Sequence, residues 1–206
     1  MSQILNPNSL DAYDYDLPPE LIANFPTFPK ENARLLVYER ASEKISHQKF
    51  GDLPEILPPC DIIFNDTKVV KARIYGKKDS GGETELLLNS PLADGKFSVY
   101  IKGKVRAGSV LNFDRNLTAE VCELFEDGSR TVKFSQNCEP LDAAALYKIL
   151  SHIGHVPLPP YIKRSDTKDD ESWYQSVFAK NEGAVAAPTA SLHFSDEMIA
   201  RLAKDR

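Results

Sequence analysis

The chain has 206 residues, of which 42% are hydrophobic and 27% charged, and a formal net charge of −5. That length suits one or two domains able to bury roughly 70% of their unfolded surface, and the acidic balance argues against a generic nucleic-acid binder. Three widely spaced cysteines, Cys60, Cys122 and Cys138, form no CxxC pair, which argues against a disulfide framework or a zinc site and for a reducing compartment.

The opening MSQILNPNSLDAYDYDL has neither a basic start nor an apolar h-region, so it does not read as a signal peptide. No run approaches the ~18 apolar residues of a membrane span. A soluble, cytosolic protein is expected. LPPELIA, 17–23, reads as a short helix with proline in its first turn. RLLVYER, 34–40, and DIIFND, 61–66, read as strands, the second apolar enough for burial on both faces. Between them, FGDLPEILPP allows one helical turn before Pro58 and Pro59.

The texture changes after Arg73. Short strands are expected at 71–77, 84–89, 96–103, 109–113, 118–126 and 129–135, punctuated by Gly81-Gly82, Asp94-Gly95 and Asp127-Gly128. Asp-Gly between the last two strands is a strong hairpin signal, because such turns need positive φ. Six short strands in about 65 residues predict a small antiparallel barrel, which removes exposed edges. Helical periodicity returns at 141–153, where Leu146, Ile149, Leu150 and Ile153 recur on one face and Gly154 is placed to cap the end. Further helices are expected at 171–179 and 195–204, the latter with Ser195 as N-cap. The fold class is therefore α/β: a mixed α/β domain from residues 1–74 and 139–206, with a small antiparallel β-barrel, 75–138, inserted.

Charge is uneven along the chain. Lys68, Lys71, Arg73, Lys77 and Lys78 crowd 68–78 with no acid, and Lys96, Lys102, Lys104 and Arg106 crowd 96–106. Such a face suits phosphates. From charge alone, lysines that merely solubilise strand edges are the favoured reading.

Three stretches carry polar groups that propensity does not explain. FNDTKVVKAR, 64–73, places Asn65, Asp66 and Thr67 where a strand ends, either as ligand contacts or as an Asx turn. IGHVPLPPYI, 153–162, is held extended by three prolines in four residues, with His155 before them and Tyr161 after. It suits the wall of a site, or a packed linker whose histidine meets a backbone carbonyl. GAVAAPTASLHF, 183–194, combines small residues fit for close backbone approach with Thr189 and His193. The plainer alternative is a tightly packed strand turning into the last helix. No P-loop, GxGxxG, GxSxG or metal motif occurs. His152 and His155 lack a third ligand at suitable spacing, so no metal is expected.

In this order, DYDLPPELIA, RLLV, FNDTKVVKAR, GGETELLL, IGHVPLPPYI and YQSVFAKNEGAVAAPTASLHF resemble the S-adenosylmethionine:tRNA ribosyltransferase-isomerase family of queuosine biosynthesis. The resemblance extends from near residue 14 to the end. It implies an α/β domain with an inserted barrel, S-adenosylmethionine as co-substrate, and a tRNA partner with a GUN anticodon whose wobble base is 7-aminomethyl-7-deazaguanine. It also implies a cytoplasmic monomer with no membrane partner. The implied reaction moves and rearranges the ribosyl group to give epoxyqueuosine, releasing adenine and methionine.

That chemistry needs acid–base groups, carboxylates to face a sulfonium or amine, and a purine pocket. On the matching motifs, His193 and His155 are the expected acid–base groups and Asp66 the carboxylate. Asn65, Thr67, Thr189 and Gln175 would read polar edges, Tyr161 or Tyr174 would stack on a base, and Arg73 and nearby lysines would contact phosphate. The chain departs from the family at Lys68, where Arg is common and the bidentate fork is lost, and at Ser191, where Gly is common. Family members also continue well beyond the LHF segment, so a C-terminally truncated chain is expected. The alternative function is a non-catalytic tRNA-binding or structural module.

Overall fold

The computed structural model describes residue 6 and residues 8–204. A 3-10 turn, Pro19–Leu21, stands where a longer helix is predicted. Strands β1 (Arg34–Glu39) and β2 (Lys44–Lys49) form an antiparallel hairpin. The chain then makes a 3-10 turn at Phe50–Asp52 and one turn of helix α1 (Leu53–Ile56), with Pro54 in its first turn. The short strand β3 spans Thr67–Val69.

The predicted strand at 61–66 is not one. Residues 61–66 run extended with no ladder partner among the described residues, and Ile63 is 95% exposed. Its hydrophobicity serves ring packing instead: Phe64 stacks on Phe178 at 3.9 Å and meets Phe194 edge-on at 5.1 Å.

Six strands follow: β4 (Arg73–Lys78), β5 (Glu83–Pro91), β6 (Lys96–Lys102), β7 (Val110–Asn112), β8 (Leu117–Leu124) and β9 (Ser129–Gln136). They pair antiparallel in the order β9-β6-β5-β4-β7-β8, and β8 pairs back onto β9 to close a barrel. Alternation places Leu86, Leu88, Phe97, Val99, Val132 and Phe134 inside, all essentially buried. Gly128 turns the last hairpin at φ +87°, while Asp127 Oδ1 accepts hydrogen bonds from the Ser129 amide and hydroxyl. Strand β10 (Glu139–Pro140) folds back to pair antiparallel with the end of β9.

Helix α2 (Ala143–Ile153) starts at Asp142, whose carboxylate accepts from the Ala145 amide at 2.8 Å. Its buried Leu146, Ile149 and Leu150 are continuous with the barrel core. Helix α3 (Asp170–Trp173) stops well short of the predicted 171–179. Beyond Trp173 the chain bends so that Gln175 can serve the edge of β3. Strand β11 (Asn181–Ala184) runs parallel to β3, with a bulge at Gly183, φ +144°. Helix α4 (Asp196–Lys204) begins at Ser195, whose hydroxyl accepts from the Met198 amide. A second core gathers Phe50, Phe194 and Met198. The fold is thus mixed α/β with an inserted antiparallel barrel. No helix among the described residues is long and apolar enough to cross a membrane.

Candidate functional site

Two of the motif stretches meet. At the end of α2, Gly154 lies so close to the Lys71 carbonyl that only a residue without Cβ fits. The next residue bridges to β4: the His155 amide donates to Arg73 O at 2.8 Å and the Arg73 amide to His155 O at 3.3 Å. The stiff 157–161 run then forms one wall of a pocket of about 340 Å³, and 185–189 forms the other. Arg73 and Leu87 close it from the barrel side, and Tyr174 joins Tyr161 on its lining. The volume is within the range of small-molecule sites. Arg73 is its one charged side chain, held by an ion pair to Glu85 at 3.1 Å and directed toward Leu158 O. Burial first, then the Asp170 charge, push the Tyr174 phenol above its ordinary range, so it stays protonated at neutral pH and is available as a donor.

Arg73, Tyr161, Tyr174 and Thr189 are therefore brought together. Thr189 and Ala187 also line a second pocket, about 500 Å³, with Ile62, Phe64 and Asn65. Tyr174 also lines a third, about 270 Å³, beside Gln175.

Several predicted polar groups have local partners. Asn65 closes an Asx turn, its Oδ1 accepting from the Thr67 amide at 2.8 Å and from the Thr67 hydroxyl. Gln175 imitates a strand: its Nε2 donates to Val69 O at 2.7 Å and its Oε1 accepts from the Val69 amide at 3.0 Å. Asp66 Oδ2 accepts from Asn181 Nδ2 at 2.9 Å, at the mouth of the β3–β11 pair.

The two histidines stand apart from the 340 Å³ pocket lining. His155 Nδ1 lies 3.0 Å from Asp166 Oδ1, and its ring meets Tyr75 edge-on at 5.0 Å. His193 packs against Phe50 at 5.2 Å. Burial, with a smaller push from Lys30, lowers its pKa, so His193 is neutral at pH 7 and able to accept a proton. Ser191 sits in the 3-10 turn Thr189–Ser191 with its hydroxyl donating to Pro188 O, and it does not adopt positive φ. Lys68 pairs with Glu182 at 2.9 Å.

Sequence reasoning missed the carboxylates that organise this region. Asp170 is fully buried and receives both terminal nitrogens of Arg164 at 2.7 Å, plus the Thr167 amide and hydroxyl. Burial alone would raise its pKa, but the Arg164 and Thr167 donors outweigh it and hold the carboxyl below its ordinary range. Arg164 also donates to Asn24 O and lies over the Phe25 ring at 4.6 Å, tying the 24–28 segment to Trp173. The signal was an acidic run, 169–171, two residues ahead of Trp173. Periodicity does not distinguish one buried acid from its solvated neighbours. Among the described residues no group of three or more His, Cys, Asp or Glu could hold a metal ion.

Comparison with known proteins sets this geometry in context. Residues 10–206 match the family model described as queuosine biosynthesis protein. Over 196 residues the chain is 64% identical to an S-adenosylmethionine:tRNA ribosyltransferase-isomerase of Campylobacter fetus, covering 95% of this chain and 58% of that one. Over 203 residues it is 51% identical to a protein of the same name from Nitratiruptor, covering 98% and 60%. A crystal structure of S-adenosylmethionine tRNA ribosyltransferase from Thermotoga maritima is 29% identical, covers 93% of this chain and 54% of that one, and superimposes with a TM-score of 0.35. The chain thus spans somewhat under two thirds of the length of the curated relatives it matches. On a family match that runs from residue 10 to residue 206, the chain belongs to the queuosine biosynthesis protein family.

Proposed function

We propose that this chain carries the nucleoside site of an S-adenosylmethionine:tRNA ribosyltransferase-isomerase. In this reading the ribosyl group of S-adenosylmethionine is transferred to 7-aminomethyl-7-deazaguanine at the wobble position of a GUN-anticodon tRNA and rearranged. The products are epoxyqueuosine-tRNA, adenine and methionine. The sulfonium acidifies the C5′ hydrogens, a base removes one, and adenine leaves with a proton. The neutral amine of the modified base is the nucleophile, so none is required of the protein. The protein acts as a monomer in the cytoplasm, with residues 75–138 as a separate barrel unit.

The observation that carries the reading is the apolar pocket between 157–161 and 185–189, with Tyr161 and Tyr174 on its lining, in a chain 64% identical to a ribosyltransferase-isomerase. Two aromatic rings in a largely apolar cleft suit a purine. Thr189 supplies a hydroxyl at its edge, and Arg73 supplies the cation for a phosphate. His193, neutral at pH 7, and His155, oriented by Asp166, both outside the lining of this pocket, are the proposed acid–base groups, with Asp66 as the carboxylate for the sulfonium or amine. Asn65, Thr67 and Gln175 hold the backbone of β3, which follows directly on Asp66 and leads toward Arg73.

The test is release of labelled adenine from S-adenosylmethionine when the chain is incubated with tRNA bearing 7-aminomethyl-7-deazaguanine. Release that depends on that base, and falls at least tenfold in Tyr174→Ala, is the expected result. Salt-sensitive tRNA binding without adenine release would instead make the chain a binding module.

A further inference from the structure

The basic residues of 68–106 fall into two groups. Lys68, Lys71, Arg73, Lys96 and Lys102 are each ion-paired, to Glu182, Glu171, Glu85, Glu123 and Glu85 respectively. Lys77, Lys78, Lys104 and Arg106 have no carboxylate partner among the described residues. Lys77 faces a different pocket, and the other three line a single pocket of about 430 Å³ on the barrel. Its one acid, Asp79, is engaged by Asn112 Nδ2 at 2.8 Å.

The pocket is shaped by the β4–β5 turn and by the loop from Gly103 to Ser109. Gly103, at φ +103°, leaves room for the Lys78 ammonium; a Cβ there would lie 3.0 Å from it. That ammonium donates to Lys104 O at 2.8 Å, which fixes it at the mouth. The Arg106 amide donates to Ser109 Oγ and the Ser109 amide to Arg106 O, so the loop is folded on itself beneath two exposed cationic side chains. From residue 101 to residue 113 the chain contains no acid at all. The pocket thus presents three cations against one carboxylate, Asp79, which is hydrogen-bonded to Asn112.

We infer that this pocket holds a backbone phosphate of an RNA partner, at a contact separate from the nucleoside pocket. The inference rests on tRNA being the substrate, as proposed above. Arg73 begins β4 and lines the nucleoside pocket, and Lys78 ends β4 and lines this one. At ~3.3 Å per residue the two are about 17 Å apart. A B-form strand, rising ~3.4 Å per nucleotide, covers that distance in about five nucleotides, and the more compact A-form of RNA in slightly more. With Arg73 contacting a phosphate of the tRNA at one end of β4, as proposed above, phosphates a few nucleotides further along the strand fall within reach of Lys104 and Arg106 at the other. Cations at this second point fix the register of the RNA without reading its bases.

The test is the salt dependence of tRNA binding by the 206-residue chain between about 50 and about 200 mM salt. The double variant Lys104→Ala/Arg106→Ala is expected to flatten the slope of log affinity against log salt by about 1.4 to 1.8, two phosphate contacts at ~0.7 to ~0.9 each. Lys104→Arg/Arg106→Lys should keep the parent slope, and Lys148→Ala, on the exposed side of α2, should leave it unchanged. Thermal melting of each variant at the parent temperature separates contact loss from unfolding. A parent slope in the folded double variant overturns the inference while leaving the proposed function standing. Displacement of tRNA by millimolar inorganic phosphate at constant ionic strength also overturns it, making the pocket a site for the free ion. A parent chain that binds no tRNA overturns the proposed function, and this inference falls with it.

Discussion

Asp170→Ala is expected to be the most damaging single substitution outside the barrel, costing about 3–5 kcal/mol in urea unfolding. The carboxylate has no exposed surface and accepts four hydrogen bonds, two of them from Arg164. Truncating it leaves a guanidinium with little solvent around it and no counter-charge, and removes the acceptor for the Thr167 amide and hydroxyl just ahead of α3. The damage spreads, because Arg164 holds the 24–28 segment and α3 leads directly to Tyr174 and Gln175. The pH dependence has a definite sign. The folded Asp170 carboxyl is held below its ordinary value, so its stabilisation is complete above the unfolded pKa of about 3.9 and is lost as pH falls through the lower folded value. Acid unfolding of the parent should therefore include a component below about pH 4 that Asp170→Asn lacks. A loss under about 1 kcal/mol for Asp170→Ala would mean that the pair is solvated and does not anchor this region.

Gly154→Ala is the second large effect expected, and its cause is steric. Gly154 has φ −83°, open to any residue. A Cβ there would nevertheless stand 2.1 Å from Lys71 O, 2.6 Å from Leu150 O and 2.8 Å from Lys71 Cβ, all parts of rigid neighbours. Relief requires α2 to move away from the strand linker, which opens the His155–Arg73 bridge and one wall of the proposed nucleoside pocket. Overpacking of this kind costs about 1–3 kcal/mol, or on the order of 5 °C in Tm for a chain of this size. Gly81→Ala makes a useful contrast. That position has φ +83° with nothing within 4 Å of its Cβ, so it carries backbone strain without a clash and leaves the pocket intact. Differential scanning calorimetry, with adenine release measured in parallel, separates the two. Equal effects on activity would contradict the close-approach account.

The barrel was legible in the sequence because its information is local. Alternation along 84–89 and 96–103 places every second side chain inside, and Asp127-Gly128 supplies the positive φ its hairpin needs. Helix α2 was legible for the same reason: Asp142 caps it and its apolar face recurs at helical spacing. What was not legible is pairing across long separations. Strand β3 finds its partner in β11, and Gln175 finishes its other edge, both more than a hundred residues along. An apolar run at 61–66 reads as a strand until Phe178 and Phe194 appear beside Phe64. The candidate site divides the same way. The three quoted motif stretches supply Arg73, Tyr161 and Thr189 to one pocket. The chemistry of that pocket's surroundings depends on Asp166 and on the Arg164–Asp170 pair, whose meaning exists only once the chain is folded. Gly154 was singled out as a helix cap, and it does end α2. Its necessity, though, comes from the Lys71 carbonyl opposite, which no pattern around residue 154 announces.

The central claim is that the cleft between 157–161 and 185–189 receives the adenosyl group. Photolabelling with an azidoadenine analogue of S-adenosylmethionine, followed by peptide mapping, tests it most directly. The account predicts modification confined to peptides containing Tyr161, Tyr174 or 185–189, suppressed by unlabelled S-adenosylmethionine and reduced in Tyr174→Ala. Modification concentrated on the 103–109 loop, or on peptides around Phe50, while the cleft stays unlabelled, would contradict it.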